Sequence, residues 1–157
     1  GRLLTKGLNA GPGAASGRIV LRADDAEDWA RRGEQVILVR LETSPEDIRG
    51  MQAAQGILTA RGGMTSHAAL VARQMGKVCV AGAAELEIDL RERRVRIGAT
   101  TLREGDWLSL DGTSGEVFQG RIDTQPSEVM QALFEGDAKA RRGELWRAFE
   151  ELMRWAD

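Results

Sequence analysis

The chain has 157 residues, with 22 Lys and Arg against 24 Asp and Glu, and 42% of its residues are hydrophobic. That length suffices for one domain with a proper core, and the balance is that of a globular chain rather than a disordered one. A net charge of −2 gives no electrostatic case for nucleic acid or an anionic membrane, and apolar runs such as Val36 to Val39 are far too short to span a bilayer.

The stretch Gly7 to Gly17 is rich in Gly, Ala and Ser, and reads as a loop with close backbone approaches. A short strand follows at Arg18 to Leu21. Asp24 to Arg32 reads as a helix, with acids in its first turn and Gly33 just past its end. The apolar run within Gln35 to Arg40 suggests a strand buried on both faces. Ser44-Pro45-Glu46-Asp47 has the order of a helix start, and that helix should run to about Ala54. Gly56 to Thr59 is another strand. A turn at Arg61 to Met64 then opens a helix at Thr65 or Ser66, which Gly76 closes before a strand at Lys77 to Ala81.

From Leu86 the pattern becomes a set of short strands at 86–88, 95–97, 101–103, 107–110 and 116–118, with a tight-turn signal at Asp111-Gly112-Thr113-Ser114-Gly115. The tail, 127–157, is helical in character, with Leu145, Phe149, Leu152 and Trp155 at spacings of three and four. The whole order is strands alternating with helices, then an antiparallel set, then a helical extension. The expected fold class is α/β.

Scarce residues bound the chemistry further. There is one Cys, Cys79, which excludes an internal disulfide and suits a reducing, cytoplasmic compartment; no charged-then-apolar leader opens the chain. There is one His, His67, and a single His with a single Cys cannot supply a zinc site, so no metal is expected on this chain. Any histidine chemistry must run through His67.

His67 stands where a strand leads through paired glycines, Gly62 and Gly63, into a helix. Such a turn presents unpaired N–H groups and the positive helix end to an anion. A neutral imidazole in the first helical turn is a competent nucleophile toward a phosphoryl group, and the helix end stabilises the added charge. There is no Gly-x-x-x-x-Gly-Lys-Ser/Thr loop, and the adjacent Ser66 and His67 do not face each other as a Ser–His dyad would. On pattern alone, a capping or packing role for His67 fits the same residues, and so does a binding module whose apolar tail docks a partner.

Arg61-Gly62-Gly63-Met64-Thr65-Ser66-His67-Ala68-Ala69, with Ala72-Arg73, resembles the phosphohistidine signature of the phosphoenolpyruvate-utilising enzymes. The flanks Glu42-Thr43-Ser44-Pro45-Glu46-Asp47-Ile48, Gly50-Met51 and Met153 to Asp157 resemble the dikinase branch of that family, with the phosphoenolpyruvate synthases as the alternative branch. The likeness runs from Gly7 to the end. Asn9-Ala10-Gly11-Pro12-Gly13 and Val78 depart from the usual pattern, away from the histidine.

The resemblance implies a swivelling β/β/α domain of three layers and mixed sheets over 1–124, and a helical linker over 125–157 toward an absent barrel. It implies that His67 takes a phosphoryl group derived from ATP at an ATP-grasp nucleotide-binding domain. His67 would deliver it to pyruvate at a TIM-barrel domain of the same polypeptide, in a parent expected to be a homodimer. Mg²⁺ would serve those outer sites and not this domain. Arg61, Gly62, Gly63 and Ser66 would line the phosphate site. Thr65 matches a threonine that a regulatory kinase/phosphatase modifies in plant members, though a plain helix cap suits it equally well. Cys79 reads as a buried strand residue, and Arg73 as a structural contact.

Overall fold

A computed structural model describes residues 2–122 of the chain. The expected tail helix lies outside the described residues.

Strands β1 (Arg2–Lys6), β2 (Leu8–Gly11) and β3 (Ala14–Val20) open the chain, and helix α1 (Ala23–Arg31) leads to β4 (Val36–Arg40). A single 3₁₀ turn (Pro45–Asp47) runs into α2 (Ile48–Ala53), followed by β5 (Gly56–Thr59), α3 (His67–Met75) and β6 (Val78–Ala81). Five short strands complete the order: β7 (Leu86–Asp89), β8 (Arg94–Ile97), β9 (Thr100–Arg103), β10 (Trp107–Asp111) and β11 (Glu116–Gln119).

Eight strands form one mixed sheet in the order β1-β11-β10-β3-β4-β5-β6-β2, and β7-β8-β9 form a second, antiparallel sheet. Within the large sheet β3, β4, β5 and β6 run parallel, each joined to the next through a helical connection, while the flanking pairs are antiparallel. The central strands carry apolar runs, Val36 to Val39 in β4 and Ile57-Leu58 in β5, because both faces are covered there. In β4, Val36 and Leu38 point into a core shared with Ala26, Met51 and Ala69 of the helices. Ile37 and Val39 point the other way, into a core shared with Leu86, Val95, Ile97 and Leu102 of the small sheet. The period-two alternation of one strand thus feeds both cores. Small sheet, large sheet and helices make the three layers of a β/β/α architecture.

The glycine-rich opening is where the structure departs from the sequence reading. Residues 8–11 and 14–17 are strand, not loop, and Arg2–Lys6 adds a strand that the pattern gave no sign of. The glycines are there for close approach, as expected, but between paired strands. A Cβ at Gly17 would meet the Val36 backbone at 2.7–2.9 Å, and one at Gly11 would run into the Lys77 carbonyl.

The described residues end in a clasp. Ser16 Oγ and Ser109 Oγ lie 2.7 Å apart, and both accept from Ile122 N at 3.1 Å. Ser109 Oγ also donates to the Gly120 carbonyl (2.7 Å), and Arg121 stacks on Trp107 at 4.8 Å from the ring centre. Ser109 is buried. Ser109→Ala takes the donor from the Gly120 carbonyl and leaves the Ile122 amide with Ser16 alone, and should cost about 1–2 kcal/mol. The midpoint of urea unfolding, at unchanged slope, measures it.

Candidate functional site

The site forms at the carboxyl ends of β4 and β5, where the loops 41–44 and 60–66 leave the sheet side by side. Arg61 N donates to the Leu41 carbonyl (2.9 Å), tying the two loops together. Thr59, fully buried at the end of β5, donates its hydroxyl to the Arg61 carbonyl (2.9 Å) and fixes the turn that follows.

That turn depends on one of its two glycines. Gly62 has φ +108°, and a Cβ there would meet Ser66 Cβ at 2.8 Å and Oγ at 2.9 Å. Gly63 has open space where a Cβ would stand. The chain enters α3 with Ser66 as its cap, the hydroxyl accepting from Ala69 N at 3.3 Å. Thr65 is exposed in the preceding turn, so the capping falls to Ser66. Gly76, at φ +69°, ends the helix in the left-handed conformation glycine favours.

His67 is the first residue of α3 and is partly exposed. Its Nδ1 lies 2.9 Å from the hydroxyl of Thr43, a buried residue 24 positions earlier. Sequence reasoning missed Thr43. It was visible only as part of the flank ahead of a helix start, and its pairing with His67 comes from the side-by-side ends of β4 and β5. With Nδ1 engaged, Nε2 is the ring nitrogen left to do chemistry.

The structure therefore brings Gly62, Ser66 and His67 together and places Thr65 and Gly63 on the exposed side of the same turn. Arg61 contributes its backbone, and its side chain is exposed. Arg73 is structural: its guanidinium donates to the Ala10 carbonyl (3.0 Å) and to the Met64 carbonyl (2.5 Å), fastening the glycine turn to edge strand β2. A cleft of about 770 Å³ lies elsewhere, on the outer face of the small sheet among Glu87, Asp89, Arg94 and Arg96.

Cys79 is fully buried on β6, and burial pushes its thiol up to about 12, against a smaller opposing pull from Arg73. It should resist alkylation at pH 8.5 in the native chain and react once the chain is unfolded, which mass spectrometry would read. Because the folded value lies above the unfolded one, this thiol's contribution to stability is complete below pH 9. It is lost progressively as the pH rises toward 12.

Among the described residues no group of three or more His, Cys, Asp and Glu could hold a metal ion. Nor is any described helix long and apolar enough to cross a membrane.

A three-layer β/β/α domain with a lone histidine at a Gly-Gly-to-helix junction defines a class. Residues 32–115 match the family model described as the mobile domain of PEP-utilising enzymes, and the chain belongs to that family. Its curated relatives include pyruvate, phosphate dikinases. The one from Clostridium symbiosum is 47% identical over 157 residues, all of this chain and 16% of that protein. Pyruvate, phosphate dikinase 2 of Zea mays is 55% identical over 125 residues, 80% of this chain and 14% of that protein. The chain thus spans about a sixth of the length of these relatives. Among solved structures, a solution structure of Enzyme I is 22% identical with a TM-score of 0.40, covering 74% of this chain and 38% of that one.

Proposed function

We propose that this chain is the phosphoryl-carrier domain of a pyruvate, phosphate dikinase, with His67 as the carrier. The observation that carries the reading is the position of His67: the first residue of a nine-residue helix, after a glycine turn, with Nδ1 held by Thr43. When Nδ1–H donates to Thr43 Oγ1, the Nε2 lone pair is free to attack phosphorus. An N–P bond forms as the bond from phosphorus to the leaving oxygen breaks, and the imidazolium keeps its proton on Nδ1, donated as a hydrogen bond to Thr43 Oγ1. The positive end of α3 stabilises the incoming charge. Transfer to the enolate oxygen of pyruvate reverses these events and yields phosphoenolpyruvate. Gly62 and Ser66 shape the turn beside the phosphate, with the Gly63 and Arg61 backbones on its rim.

Overall, ATP, phosphate and pyruvate exchange with AMP, pyrophosphate and phosphoenolpyruvate, a reaction this chain serves without turning over alone. The curated relatives' names support the reaction, and their greater length supports partner domains for nucleotide and for pyruvate outside this chain. Mg²⁺ would serve at those partner sites, as the likeness to the dikinases implies. Residues up to Ile122 form a compact unit by themselves, which supports a carrier over 1–124 and a linker over 125–157. Leu41, Met64 and Leu70, three large apolar side chains left exposed on the segments bearing Thr43 and His67, suit transient docking on two partners. Thr65, exposed two residues before His67, is the place where an added phosphate would repel the incoming one. A buried lone cysteine agrees with a cytoplasmic setting.

The test is to phosphorylate the full enzyme and follow the bound phosphate. An acid-labile, base-stable label that maps to His67 is the expected result. Label retained in a folded His67→Asn variant would sink the proposal.

A further inference from the structure

Buried polar side chains cluster at the same end of the sheet as His67. Of the five described residues that are buried and polar, three are Thr43, Asp47 and Thr59, and Asp47 is the charged one among the five. A buried carboxylate is costly unless it is paired and hydrogen-bonded, so what Asp47 touches matters.

It touches two things. Asp47 Oδ2 accepts from Ser44 N at 3.0 Å, and the same oxygen lies 3.8 Å from Arg40 Nε. Arg40 is the last residue of β4, anchored by a bond from its guanidinium to the Leu21 carbonyl (3.1 Å). Its Nε is buried and has no hydrogen-bond partner, so the Asp47 carboxylate is the charge that answers it. The N–H that Asp47 holds belongs to the peptide joining Thr43 to Ser44. One side of that peptide is pinned to a rigid central strand through Asp47 and Arg40. The other carries the hydroxyl that meets His67.

We infer that Arg40 and Asp47 are positioning residues for the His67 ring, acting through the Thr43–Ser44 peptide to hold Nδ1 protonated and Nε2 free. A helix cap alone would need neither the burial of Asp47 nor a cation on the neighbouring strand. The inference rests on the carrier reading only for the meaning of a free Nε2; the ring's protonation pattern is observable without phosphoryl transfer.

His67 is the single histidine, so the ring nitrogen signals of the ¹⁵N-labelled 157-residue chain are unambiguous. The expected result is an Nδ1–H tautomer in the parent chain at a pH where the ring is neutral. Thr43→Val should move the tautomer ratio about tenfold toward Nε2–H, the equivalent of one neutral hydrogen bond. Asp47→Ala and Arg40→Met should move it the same way, and Arg40→Lys should recover part of the loss. Asp47→Ala added to Thr43→Val should cause no further change, because the effect passes through Thr43. Asp47→Leu, which keeps about the same volume but removes the acceptor for Ser44 N, replaces Asp47→Ala if the latter does not fold.

An unchanged ratio in folded Asp47 and Arg40 variants would overturn the inference, as would an Asp47 effect that persists in full without Thr43. If His67 is not phosphorylated, the carrier reading fails and the tautomer result stands. If the ratio does not move but His67 is labelled, the relay fails and the carrier stands.

Discussion

Gly62→Ala should slow phosphorylation of His67 about 100-fold, while Gly63→Ala leaves it within about twofold. The two glycines are neighbours in one motif, yet only Gly62 sits at positive φ, where a side chain is strained by about 1–3 kcal/mol. Its Cβ would also press on Ser66 at 2.8–2.9 Å, and Ser66 is the residue that caps α3. Relief comes only by moving that cap, which carries about 1 kcal/mol of its own and sets where His67 begins the helix. Gly63 faces open space and should change stability by no more than about 0.5 kcal/mol. Single-turnover phosphorylation of the full enzyme, with thermal melts of both variants, checks the pair. Equal damage from both would mean that the turn's need for glycine is not steric.

A large stability loss is expected far from the chemistry, at Gly50→Ala. Gly50 lies in α2 against the start of α1, where a Cβ would stand 2.6 Å from both Cα and Cβ of Ala23 and 2.7 Å from its carbonyl oxygen. No flexible side-chain end is available to yield, so the two helices must move apart. That movement opens the core around Ala26, Met51 and Ala54, and the cost should exceed about 3 kcal/mol, a large part of a typical domain's stability. Denaturant titration measures it. Adding Ala23→Gly removes the contact with Cβ but not with the Cα or the carbonyl, so rescue should be partial.

Much of the α/β part was legible because its signals are local. The apolar run of β4, the acids and Gly33 around α1, and the Ser66 and Gly76 boundaries of α3 each fall within a residue or two of where the chain reads them. The short strands β7 to β11 were legible from alternation and from the turn at Asp111 to Gly115, where Asp111 Oδ1 accepts from Thr113 N and Ser114 N. Strands β1 and β2 were not. Their residues show little apolar alternation, and they are strand because distant partners, β11 and β6, supply the hydrogen bonds. Gly11 looks like a loop residue for the same reason that it is a strand residue: backbone passes too close for a side chain.

The sequence by itself determined that there is one histidine, that it follows a glycine turn, and that it opens a helix whose positive end suits a phosphoryl group. Those are properties of consecutive residues, fixed by backbone preferences and by composition. Only the tertiary structure decided which glycine the turn requires, and that Ser66 rather than Thr65 caps the helix. It alone brought Thr43 from 24 residues away to the ring of His67, with Asp47 and Arg40 behind it. The physical reason is that parallel strands register side by side only when the sheet forms, and the loops at their carboxyl ends meet as a consequence.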